Sequence, residues 1–80
     1  MNLTLKHNLD FILERHFLIP QVELKKGRYL ADLGLSKVDQ RQMINYFEDE
    51  FHIRVSEQDE RTIRTVKDTL NVLQKYLSIP

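Results

Sequence analysis

The chain has 80 residues, 41% of them hydrophobic and 30% charged, a length and balance that suit one domain spanning 1–80 and fall short of two cores. Lysine plus arginine and aspartate plus glutamate are equal at 12 each, so the field of the whole molecule draws it strongly neither to nucleic acid nor to an anionic membrane. With no cysteine, disulfides, thiolate metal sites and thiol nucleophiles are excluded. The opening residues Met1 to His7 lack the apolar core of a signal peptide. No apolar run approaches the roughly 18 residues that span a bilayer, and a cytoplasmic location is the expectation.

Leu5, Leu9, Ile12, Leu13 and Phe17 recur at spacings of three and four, which predicts an amphipathic helix closed by Pro20. From Pro20 to Gly34 no period is sustained, but Val22, Leu24, Tyr29, Leu30 and Leu33 are apolar, so this long connection is expected to lie over a core, with room for a short helical turn. Residues 36–51 predict a second helix, with Val38, Met43, Ile44, Phe47 and Phe51 on one side and a Ser36…Asp39 capping-box start. His52-Ile53-Arg54-Val55 is too short for a strand, and Ser56-Glu57-Gln58-Asp59 predicts a cap and a short third helix near 57–61. Thr65 with Asp68 opens the last helix, where Val66, Leu70, Leu73 and Leu77 repeat. Leu9, Leu13, Phe47, Phe51, Val66, Leu70 and Leu73 are expected to share one core.

Asp32-Leu33-Gly34, Asp39, Glu48-Asp49-Glu50-Phe51, Ile63 and Thr65-Val66 resemble, in their joint spacing, the acyl carrier protein family. The pattern runs without a gap from Ala31 to Val66, and with the first helix the resemblance covers roughly residues 5–77. It implies an all-α four-helix bundle, three helices longer and one short, with a long loop after the first helix and the second helix as the face that partner enzymes recognise. It also implies a serine, in an Asp-Ser-Leu triplet, that receives phosphopantetheine. In the gapless register the triplet here is Ser36-Lys37-Val38. Ser36 stands in the aspartate's place and Lys37 in the serine's, and a lysine amine cannot form the phosphodiester.

Attachment at Ser36 would need a deletion before it and a compensating insertion before Asp39, and on a helix the neighbouring residue points about 100° away. The N-cap role explains Ser36 without either change. The family's second helix is usually acidic, whereas this one begins Lys37, Asp39, Arg41 and turns acidic only at Glu48. The expectation is therefore an accessory domain, not an enzyme and without a cofactor, that binds a protein partner through Lys37, Val38, Arg41 and Glu48, in a fatty-acid or polyketide type of system by the resemblance alone. The alternative is a working carrier with phosphopantetheine on Ser36. A monomer is expected.

Other candidates have plainer explanations. His7, His16 and His52 lack metal-ligand spacing, so no metal is expected. Lys25, Lys26 and Arg28 beside Tyr29, and Arg61, Arg64 and Lys67, could contact phosphate, but solvated loop charge accounts for them and no nucleic-acid or membrane partner is expected. Met43, Tyr46, Phe47 and Phe51 suit a core and its edge. An apolar cleft beside Phe47 and Ile63 is left open as a non-covalent acyl site by the resemblance, and no nucleophilic or paired-carboxylate arrangement stands out.

Overall fold

The computed structural model describes residues 5–77. Four helices follow one another: α1 (Leu5–Phe17), α2 (Lys37–Phe51), α3 (Glu57–Glu60) and α4 (Val66–Leu77), with two single 3-10 turns, Gln21–Glu23 and Ala31–Leu33, between α1 and α2. Among the described residues there is no strand, only an isolated antiparallel bridge between Tyr29 and Thr65. The expected all-α four-helix architecture is observed, and the predicted second and third helices each differ from the observed bounds by one residue. Ser36 lies outside α2 as its cap, and Arg61 ends α3 as its C-cap.

The apolar stripes meet in one core. Leu9 and Leu13 of α1, Met43, Ile44 and Phe47 of α2, and Val66 and Leu73 of α4 are almost wholly removed from water, each such side chain contributing about 1.5–3 kcal/mol by its transfer from solvent. One apolar residue of α2 departs from the expected core. Phe51 is only half-buried, stacked at 6.2 Å on Phe47 at the helix end, because the last turn extends beyond the core. Val38, in the first turn and among the residues named for partner binding, is 78% exposed.

The long connection is docked, as its apolar content suggests. Ile19, Leu24, Leu30 and Leu35 reach into the core at intervals along it, while Val22 and Tyr29 do not, at 71% and 54% exposed. Its middle is held by backbone bonds to the approach to α4: Leu30 N–H donates to Arg64 O (2.8 Å), Val66 N–H to Arg28 O (3.0 Å) and Lys67 N–H to Lys26 O (2.9 Å). These bonds also occupy two of the orphan amides at the start of α4.

Neither α1 nor α2 ends at a glycine. Leu18 follows α1 at φ 59° and His52 follows α2 at φ 58°, both in the left-handed region where a side chain is strained. Ile19 N–H donates to Leu13 O (3.3 Å), and Ile53 N–H to Glu48 O (3.2 Å), turning the chain so that buried Ile19 and half-buried Ile53 meet the core. Gly34, at φ 92°, does take the position that needs its freedom, where the turn Ala31–Leu33 gives way to the approach to α2.

Candidate functional site

The start of α2 is built by the residues on either side of Ser36. Leu35 is buried and accepts a bond from the Gln40 amide (Nε2 to O, 3.0 Å), which pins the chain just before the helix. Ser36 then adopts an extended conformation, φ −70° and ψ 174°. Its Oγ accepts from the Asp39 N–H at 3.1 Å, and Asp39 Oδ2 accepts from the Ser36 N–H at 3.0 Å. The capping box read from Ser36 and Asp39 is therefore closed in both directions. Lys37 is the first helical residue and is exposed.

Beyond Lys37, the residues named for partner binding divide into two kinds. Lys37, Val38 and Arg41 face solvent. Glu48 does not: its side chain is 14% exposed, Oε2 accepts from the Val55 N–H at 2.9 Å and Oε1 lies 3.4 Å from Arg41 Nη2. Arg41 also bonds to Glu60 of α3 through its other terminal nitrogen. Glu48 thus holds the loop after α2 and orients Arg41. Among the described residues, the unpaired charge that reaches solvent from this face is that of Lys37, while Arg41 is exposed but paired.

Between α2 and α3 lies a groove of about 610 Å³. Ile44, Val55 and Ile63 form its apolar base, and Lys37, Arg41 and Glu60 stand on its rim. The resemblance leaves open a cleft beside Phe47 and Ile63; Ile63 lines this groove, but Phe47 is buried in the core and the α2 residue in that place is Ile44. None of the four residues of α3 is buried, so polar bonds hold this wall. Ser56 Oγ caps it by accepting from Asp59 N–H at 3.1 Å. Asp59 in turn accepts from the Tyr76 hydroxyl and from Lys75 Nζ (3.0 Å), and Tyr76 Oη accepts from Ser56 N–H at 2.9 Å. The Tyr76 hydroxyl and the Lys75 ammonium hold the Asp59 carboxyl below its ordinary value, and Asp59 raises the Lys75 ammonium above its own.

The tie from α3 to α4 through Asp59, Lys75 and Tyr76 carries no local sequence signal, because its partners lie 16 and 17 residues apart. The Arg41–Glu60 pair, 19 residues apart, is equally silent. A second hollow of about 360 Å³ lies where Phe11, Ile12 and His16 of α1 meet Tyr46 and Glu50 of α2. His16 stacks on Tyr46 at 3.9 Å there. His52 is the left-handed C-cap of α2 and His7 lies in the first turns of α1, so the histidines occupy separate places. Among the described residues no group of three or more His, Cys, Asp or Glu could hold a metal ion, and no helix is long and apolar enough to cross a membrane.

No protein-family model matches the chain. Among solved structures it is similar to an acyl carrier protein from Thermotoga maritima, with a TM-score of 0.80 and 24% sequence identity over 89% of this chain and 84% of that one. The helices of this chain are therefore arranged in an acyl-carrier-protein-like fold.

Proposed function

We propose that this chain is a non-catalytic, acyl-carrier-like module that has lost the phosphopantetheine serine and engages a protein partner through the start of α2. The observation that carries the reading is the closed capping box. Ser36 and Asp39 exchange both bonds outside the first helical residue, and that residue is the exposed Lys37. The prosthetic group needs a hydroxyl at a helix start, where the backbone amides and the dipole favour its phosphate. In the gapless register the position holds an ammonium, so the residues present do not fit the group.

The same face supports a binding role. Lys37 presents positive charge beside the exposed Val38, with the exposed Arg41, paired to Glu48 and Glu60, next to it, and complementary charge governs encounter with a partner more than final affinity. Glu48 serves by holding Arg41 in place rather than by meeting the partner itself. A fatty-acid or polyketide type of assembly follows from the resemblance alone. A second reading is favoured by one feature: Ser36 is exposed, and its hydroxyl oxygen serves the cap as an acceptor, leaving its proton uncommitted. That reading makes the chain a carrier loaded at Ser36.

Intact mass after coexpression with a broad-specificity phosphopantetheinyl transferase separates the two. The wild type is expected to keep its mass, and Lys37→Ser to gain the group. Modification of the wild type that disappears in Ser36→Ala would overturn the proposal and establish the carrier.

A further inference from the structure

The sequence holds two short basic segments that are harmless apart: Lys25, Lys26 and Arg28 in the long connection, and Arg64 and Lys67 before and within α4. The fold brings them together. The three backbone bonds from Leu30, Val66 and Lys67 to Arg64, Arg28 and Lys26, with the Tyr29–Thr65 bridge, set the turn at Lys26-Gly27 and the residues after it beside the approach to α4 and its first residues. Backbones joined by such bonds lie only about 5 Å apart at the bridge, so cations far apart in sequence are brought onto neighbouring segments.

The carboxylates nearby offset this charge only in part. Glu23 pairs with Arg28 at 2.7 Å. Asp68 is turned to the backbone, where one oxygen accepts from the Arg64 and Thr65 amides at 3.1 Å. Lys25, Lys26, Arg64 and Lys67 are exposed and form no ion pair among the described residues. Elsewhere on the molecule cations are commonly matched, as in Lys6 with Asp10, Arg41 with Glu48 and Glu60, and Lys75 with Asp59. At the bridge between the two segments stands Tyr29, 54% exposed, a residue type enriched where protein interfaces anchor.

We infer that this patch is a second docking surface, distinct from the start of α2, and that its occupant is an acidic segment of another protein, with Tyr29 as the apolar anchor and Lys25, Lys26, Arg64 and Lys67 matching its carboxylates. The size of the patch selects this partner over longer polyanions. A single exposed ring offers one stacking platform where single-stranded nucleic acid uses a series. An anionic bilayer needs apolar side chains to insert beside the cations, whereas Leu30 and Val66 within these segments are buried. A polyanion continuing past the patch would also meet a molecule whose net charge is zero.

The test is an amide-resolved NMR titration of the whole chain at low salt with a ten-residue glutamate-rich peptide containing one leucine. Shifts are expected at residues 25–30 and 64–67, weakening as salt rises. The double variant Lys26→Glu, Lys67→Glu should bind about tenfold more weakly or worse, because it replaces attraction with repulsion. Both side chains are exposed, so its thermal midpoint should match the wild type, and Tyr29→Ala provides an uncharged check with a smaller loss. Several results would overturn the inference: shifts spread equally over Lys37, Arg41 and Arg54; undiminished binding by the double variant; or tighter binding of oligouridylate or of phosphatidylserine-containing vesicles at the same amides. Probe-free, concentration-dependent shifts there would likewise overturn it, by making a second copy of this chain the occupant. Lys37 and the transferase play no part, so this test fails or succeeds independently of the carrier question.

Discussion

Removing the Ser36 hydroxyl leaves the Asp39 N–H without its side-chain acceptor, at a helix end that faces solvent. Ser36→Ala is therefore expected to lower stability by about 0.5–2 kcal/mol, read from the shift of a urea midpoint at unchanged slope. The opposite sign is expected at Leu18. This residue is held at φ 59° with its side chain 84% exposed, so Leu18→Gly relieves backbone strain and gives up little packing. A gain of about 0.5–1 kcal/mol is expected, the relief being partly offset by the greater freedom of glycine in the unfolded chain. The two positions also differ in how visible they are beforehand. Ser36 and Asp39 lie three residues apart and state their cap in the sequence. Leu18 gives no such sign, because its conformation is imposed by the burial of its neighbour Ile19.

At the scale of elements, α3 is the piece held by charge. Its four residues contribute nothing buried, and it is held through Arg41–Glu60 on one side and Asp59 with Lys75 and Tyr76 on the other. The Asp59 carboxyl is lowered from its ordinary 3.8, so in acid the group binds fewer protons in the folded chain than in the unfolded one. Its contribution is present above pH 3.8 and is lost as pH falls through the lowered folded value. Lys75 is raised from 10.5, so its contribution is present below that value and fades as pH rises through the folded one. Asp59→Asn is expected to remove part of the stability lost in acid, leaving a flatter acid limb in midpoint-against-pH curves than the wild type shows. The short helix itself was legible from Ser56 and Asp59, since a cap is local. The bonds that position it were not, because they join residues whose proximity only the tertiary fold creates.

For the whole molecule, Phe47 is the largest side chain wholly withdrawn from water. Phe47→Ala should cost about 3–5 kcal/mol through lost transfer energy and the cavity left behind, against a total of about 5–15 kcal/mol for a typical domain. A marked fall in the denaturation midpoint is the expected reading, whereas Val38→Ala should leave the midpoint nearly unmoved. Periodicity revealed most of the core because the stripes of α1, α2 and α4 repeat at helical spacing. It misplaced Phe51 because a period continues to the end of a helix while the neighbouring helices do not. Net charge was misleading in another way: the balance of 12 against 12 hides the gathering of Lys25, Lys26, Arg64 and Lys67 on one surface. The backbone bonds that gather them join residues 34 to 41 positions apart, and closing so long a loop costs entropy before any bond repays it. In kinetic terms this seam is expected to be completed after the helices have docked, and it is the place where the bundle can open without melting. Hydrogen exchange at the Leu30, Val66 and Lys67 amides should accordingly follow a lower opening free energy than exchange in the middle of α2, so the same seam that gathers the charge also governs how long it stays gathered.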